Sequence, residues 1–114
     1  PEVVLWGTGR PTRDFLYVDE AAEAVVLAAQ RYDDAPPVNL GSGREISIAE
    51  LARLIGRTVG YDGNFRFDPS RPDGQSRQWL DTQRAVTAFG FTARVPLEEG
   101  LRKTIDWYRS QPKA

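Results

Sequence analysis

Of the side chains able to move protons or attack an electrophile, this sequence holds Asp, Glu, Tyr, Lys, Ser and Thr, but neither histidine nor cysteine. That absence removes thiolate nucleophiles, disulfides, zinc clusters, imidazole acid/base catalysis and Ser-His-Asp triads together. A tyrosine serves as an acid/base when a lysine one helical turn later lowers its pKa, so the fourth residue after each tyrosine is diagnostic. Tyr17 leads to Ala21, Tyr32 to Pro36, Tyr61 to Phe65 and Tyr108 to Pro112, and none qualifies. The acidic doublets Asp33-Asp34 and Glu98-Glu99 suit solvated faces better than an acid/base pair. Residue types and spacing therefore specify no catalytic residue and no metal site.

Two Gly-x-Gly pairs could in principle cradle a phosphate. Gly7 and Gly9 follow an apolar run, but Thr12 stands where the third glycine of a dinucleotide loop belongs, and Pro11 would disrupt the helix entry. Gly41 and Gly43 lie between an apolar triplet and a helix start, yet Ile46 takes the third position and no second strand ends in an acid to hold a ribose. Both read as tight turns, and no cofactor-binding residue is assigned to this chain.

The elements that must position any site are mixed α/β. Glu2 to Trp6 reads as a short strand, and Arg13 to Val18 as a second one whose aromatic and branched residues suit a pleated surface. Asp19 then fits the N-cap of an alanine-rich helix running to about Arg31, with Ala22, Val25, Val26 and Ala29 as its buried stripe. Val38-Asn39-Leu40 reads as a strand. Ser47 with Glu50 forms a capping box, flanked by Ile46 and Leu51 as a hydrophobic staple. The helix so started should run to Val59 and stop at Gly60, with Ile48, Leu51, Leu54, Ile55 and Val59 facing inward. Asn64 to Asp68 reads as a strand and Pro69 to Ser76 as a polar loop. Asp81 or Thr82 can cap a short helix ending near Gly90. A last helix, Leu97 to Arg109, carries the stripe Leu101, Ile105 and Tyr108, with Glu98-Arg102 and Glu99-Lys103 as i,i+4 pairs on its wet face.

With 114 residues, 40% hydrophobic and 27% charged, residues 1–114 are expected to form one domain with a single core. The net charge of −1 offers no basic excess for a phosphate backbone, so nucleic acid is not an expected partner. No apolar run approaches the length of a bilayer span, and a cytoplasmic setting is expected. The sequence has no methionine and opens on the apolar run Val3-Val4-Leu5, which reads as an excised piece of a longer chain.

Several motifs agree in order. Trp6-Gly7-Thr8-Gly9-Arg10-Pro11-Thr12-Arg13-Asp14-Phe15-Leu16-Tyr17-Val18-Asp19-Glu20, then Val38-Asn39-Leu40-Gly41-Ser42-Gly43, then Ser47-Ile48-Ala49-Glu50-Leu51 resemble the carboxy-terminal half of extended short-chain dehydrogenases, the NAD-dependent epimerase/dehydratase family. Arg71-Pro72-Asp73-Gly74-Gln75-Ser76-Arg77-Gln78-Trp79-Leu80-Asp81 looks most like the GDP-L-fucose synthase subgroup. Leu97-Glu98-Glu99-Gly100-Leu101 continuing to Trp107-Tyr108 looks like the family's last helix.

The resemblance implies a carboxy-terminal α/β piece of such an enzyme, short strands alternating with about four helices. The Rossmann half, with its cofactor loop for NADP or NAD and its tyrosine and lysine, would be a separate partner. It implies a nucleoside-diphosphate sugar as ligand. Trp6 and Arg13 match residues lining the nucleotide-sugar pocket, Arg77 matches a basic residue near the diphosphate, and Asp73 matches a loop acid. A guanidinium fork fits phosphate oxygens, and an indole face suits a base or sugar ring. Against those roles stand a core position for Trp6 and structural ion pairs of Arg13 and Arg77 with Asp14 or Asp81. Arg71 and Gln78 stand where the subgroup often has lysines, and Tyr17 where some members have histidine, so the nucleotide and sugar stay open. The 38–40 strand would be the last of the absent sheet, and its free edge could support a homodimer. The alternative is a non-catalytic scaffold built on the same fold.

Overall fold

The apolar runs at residues 2–6 and 64–68 find one another across the chain. In the computed structural model, which describes residues 1–113, β1 (Glu2–Trp6) pairs in parallel with β4 (Asn64–Asp68). Val3 lies opposite Phe65 and Leu5 opposite Phe67, and because strand side chains alternate, these four share one face. The helix α2 (Ile48–Val59) covers that face with Ile48, Leu51, Ala52 and Ile55. Its register is fixed at both ends. Ser47 accepts a hydrogen bond from the Glu50 amide at 3.2 Å, and the helix stops at Gly60, whose φ of 78° a side-chain-bearing residue would resist. At Gly56 a Cβ would lie 3.0 Å from the Phe65 ring, so the glycine allows the helix to approach the sheet.

A second ribbon pairs β2 (Thr12–Asp14) antiparallel with β3 (Glu45–Ser47), and residues 76–78 run along its other side through a bridge between Thr12 and Arg77. The expected strand to Val18 therefore ends at Asp14. The Asp14 carboxylate leaves the ladder to accept bonds from the Ser42 amide (2.8 Å), the Ser42 hydroxyl (2.6 Å) and the Gly43 amide (2.9 Å).

The core belongs to α1 (Val18–Arg31) and α3 (Gln83–Phe89), where Ala24, Ala85, Phe89 and Phe91 are buried. Helix α1 starts one residue before the expected cap. Tyr17 is its N-cap without a side-chain bond, and Asp19 sits in the first turn, where a carboxylate complements the helix dipole. The expected inner stripe of α1 is its outer one. Ala22 and Ala29 are exposed, and Val25 and Val26 are 58% and 54% exposed. The inner face is Glu20, Ala24, Leu27 and Ala28. Two bulky aromatics, Phe89 and Phe91, need small partners, which favours the Ala24 face. Glu20 can be buried there because both its oxygens accept backbone bonds, from Arg94 at 2.7 Å and Val95 at 3.0 Å.

Residues 38–40 form no ladder among the described residues, since no strand of the chain lies beside them. Val38 and Leu40 pack on the core instead. Helix α3 begins after Asp81, whose carboxylate accepts the Gln83 amide at 3.0 Å. Helix α4 (Leu97–Ser110) rests on Leu101 and Ile105, but Tyr108, expected in the same stripe, is 75% exposed. The last turn of α4 is fastened instead by Arg109, whose guanidinium donates to the Val59 carbonyl at 3.2 Å.

Candidate functional site

The polar loop at residues 69–76 is held to β1 and β2 by three of its residues. Asp73 accepts from the Thr8 amide at 2.6 Å and the Thr8 hydroxyl at 2.8 Å. These two donors, the amide first, hold its carboxyl below the usual aspartate range. Arg71 lies over the Trp6 ring, 5.0 Å from its centroid. The Arg13 guanidinium donates to the carbonyls of Thr12 (2.7 Å) and Gln75 (2.8 Å). Trp6 is 67% exposed, so it is no core aromatic. Its indole is an open face with a cation stacked on it.

Trp6, Arg13 and Asp73 thus meet on one loop. Arg77 lies apart from them. Thr12 and Arg77 are bridge partners whose side chains both reach Glu45, and Arg13, the next residue on the strand, falls on the opposite face of the ribbon. Arg77 donates to Glu45 through Nε at 2.6 Å and through its other arm at 2.9 Å, and its guanidinium lies 5.3 Å from the Trp79 ring centroid. The hydrogen bond from Arg77 holds the Glu45 carboxyl below its ordinary value. The acid competing for Arg77 is therefore Glu45 rather than Asp81, and the partners of Arg13 are carbonyls rather than Asp14.

Arg71, Glu45 and Trp79 are the further partners in these contacts. Arg71 and Trp79 were visible in the 71–81 motif, but Glu45 meets Arg77 across 32 residues, a contact that no local spacing encodes.

The geometry also tests whether these residues suit a dinucleotide cofactor. Asp73 lies against Gly7 and the Phe67 ring against Gly9, and the chain enters β2 rather than a helix. At the second glycine pair, the amides of Ser42 and Gly43 are already bonded to Asp14. Both loops are filled by the chain's own side chains and do not fit a pyrophosphate. Tyr17 has Lys103 5.7 Å from its ring centroid, but desolvation first, and then its bond to Asp19, raise its pKa. That shift is opposite to what a proton-transferring tyrosine needs.

Residues 1–41 match the model of the NAD dependent epimerase/dehydratase family. Over the length it spans, the chain is similar to proteins of that family in its sequence and in its α/β fold. Within the family it is similar to GDP-L-fucose synthases: it is 45% identical to GDP-L-fucose synthase 1 of Arabidopsis thaliana over 107 residues, covering 94% of this chain and 33% of that protein. Its fold superposes on UDP-glucose 4-epimerase of Thermotoga maritima, solved with UDP-glucose, with a TM-score of 0.87 and 33% identity over 95% of this chain and 35% of that one. A GDP-L-fucose synthetase from Naegleria fowleri bound to NADP gives 0.87 and 27%, covering 95% and 34%. The chain spans about a third of the length of the curated relatives it matches. No helix among the described residues is long and apolar enough to cross a membrane.

Proposed function

We propose that this chain supplies one wall of a nucleoside-diphosphate-sugar site, working in the cytoplasm with a cofactor-holding half in a GDP-L-fucose synthase-like epimerase or reductase that uses NADP or NAD. The observation that carries the reading is the meeting of Trp6, Arg13 and Asp73 on the 69–76 loop, in a chain whose relatives include GDP-L-fucose synthases. Trp6 offers its face to a base or sugar ring. Arg13 offers guanidinium donors to phosphate oxygens once Gln75 yields. Asp73 acts through Thr8, keeping the loop and Arg71 in place beside the indole. Arg77, bound to Glu45 on the opposite face of the ribbon, stands outside this wall.

The chain carries no residue set for the redox step, so turnover belongs to the whole enzyme. GDP-, UDP- and dTDP-sugars titrated against the amide spectrum test the reading. Shifts clustered at Trp6, Arg13 and Asp73 are expected, at weak affinity because a half-site lacks its other walls. Arg13→Ala should weaken binding about tenfold or more, given roughly 1.5 to 3 kcal/mol for a charge-assisted bond. A silent titration with all three sugars would remove the ligand role.

A further inference from the structure

Residues 71–79 are exposed throughout, so no apolar anchor holds that stretch, and polar contacts alone decide where it stands. Asp73 fastens it to Thr8. Beyond Gln75 it is tied to β2 at a single residue: the Thr12 amide donates to the Ser76 carbonyl and the Gln78 amide to the Thr12 carbonyl, each at 3.1 Å. Two bonds open to water hold a register weakly. A carboxylate reinforces them. Glu45 on β3 accepts from the Thr12 hydroxyl at 3.0 Å and from Arg77 at 2.6 and 2.9 Å, so one side chain clasps all three segments of the ribbon. The Arg77 contact is bidentate, the kind that fixes geometry as well as distance. On the opposite face the same register places Arg13. Its Nη1 donates to the carbonyl of Thr12 and to that of Gln75, the residue directly before Ser76. Where the Gln75 carbonyl stands therefore depends on how residues 76–78 lie along Thr12. Nε and Nη2 of Arg13 carry no hydrogen bond among the described residues, which makes them the donors an anion meets first.

We infer that Glu45 is the positioning residue of Arg13: by clasping Arg77 and Thr12 behind the ribbon, it sets the register of residues 76–78 and so the Gln75 carbonyl that aims the Arg13 guanidinium. This rests on the reading that Arg13 meets a phosphate of a nucleoside-diphosphate sugar, and it adds to that wall a residue that never touches the ligand. A guanidinium held in place before the ligand arrives loses less freedom on binding than a loose one. An ordinary surface ion pair, by contrast, would leave Arg13 indifferent to either partner.

The test reads Arg13 itself in the 114-residue chain. Bonds from Nη1 to two carbonyls hinder rotation of the guanidinium, so Arg13 of the wild-type chain should give separate nitrogen signals for Nη1 and Nη2. Glu45→Gln keeps the size of the side chain and should merge them. Arg77→Ala should do the same, with the amide signals of Ala24 and Ala85 unmoved as the sign of an intact core. With GDP-mannose as the probe, either variant should weaken binding about threefold to tenfold, the cost of immobilising one loosened side chain. The double variant should be no worse than either alone, because the two residues act as one device. In an Arg13→Ala background, Glu45→Gln should cost nothing further. Separate Arg13 signals that persist in Glu45→Gln would overturn the inference. So would an affinity loss as large without Arg13 as with it, which would make the clasp a general support of the fold. The two readings fail separately: a wild-type chain that ignores GDP-mannose while its Arg13 answers to Glu45 sinks the wall and upholds the clasp, whereas binding that needs Arg13 but not Glu45 sinks the clasp alone.

Discussion

The α1–α3 region and the 69–79 loop region are held by different forces, and the difference locates stability in one and exchangeable polar contacts in the other. Around α1 and α3, Ala24, Ala85, Phe89 and Phe91 are withdrawn from water, and the one buried charge, Glu20, has both oxygens engaged. Around the loop, residues 71–79 are all exposed. There the contacts are carboxylates on hydroxyls and amides, and guanidinium groups on carbonyls and rings. Apolar burial is insensitive to salt and pH and costly to undo. Charge-assisted surface contacts exchange readily with water, protons or phosphate. A region that must admit a charged ligand is drawn from the second kind.

The sharpest way to break the contrast is to empty the core. Phe89→Ala should cost about 3 to 5 kcal/mol, and with only four buried apolar residues in the cluster that should leave the isolated chain largely unfolded in urea titration. A loss under about 1 kcal/mol would mean that this cluster is not what holds the fold. Glu20→Ala should follow, at about 2 to 4 kcal/mol, because it strands the amides of Arg94 and Val95 without acceptors. Glu20→Gln keeps one acceptor oxygen and should recover roughly half. Equal losses for the two variants would show that side-chain volume, not hydrogen bonding, sets the cost.

How far the sequence disclosed each region follows from the range of the forces. Helix α2 was legible to the residue, since Ser47, Glu50 and Gly60 act on their own turns. Both strands of the parallel pair were legible from their apolar runs. Helix α1 was legible as a helix but not in its orientation: Ala22, Val25, Val26 and Ala29 form as good a stripe as Glu20, Ala24, Leu27 and Ala28, and only Phe89 and Phe91, more than 60 positions away, decide between them. Likewise the 38–40 run has the composition of a strand, yet a strand exists only where a neighbour supplies its hydrogen bonds. In the site, the motifs marked Trp6, Arg13, Asp73 and Arg77, but that the ribbon parts Arg77 from Arg13, with Glu45 holding it there, depends on pairings between segments about 30 and 60 residues apart.

Acid should undo two carboxylate contacts of the loop region. Asp73 and Glu45 have folded pKa values below their ordinary 3.8 and 4.5. Their contribution is therefore fully present above those values and is lost as pH falls through the lowered folded ones. The Thr8 amide resonance should titrate with a midpoint below 3.8 and the Arg77 Nε resonance below 4.5. Midpoints at or above the ordinary values would show that Thr8 and Arg77 do not hold these carboxylates in solution.

The smallest effect separates spacing from contact. Glu98-Arg102 and Glu99-Lys103 have the same order and spacing on α4, yet only Glu99 and Lys103 form an ion pair among the described residues, at 3.1 Å with both side chains well exposed. Arg102 lies on the same exposed face without such a partner. Lys103 is also shared with the Tyr17 ring, so a single substitution would mix two losses. A double-mutant cycle of Glu99→Gln with Lys103→Ala isolates the pair. It should return about 0.3 to 0.5 kcal/mol, fading in high salt, while the cycle at Glu98 and Arg102 should return nothing measurable. If the two cycles agree, the pairing is set by helical spacing alone. If they differ, Tyr17 orients Lys103 toward Glu99, and a contact from a neighbouring element decides which of two equal spacings becomes a bond.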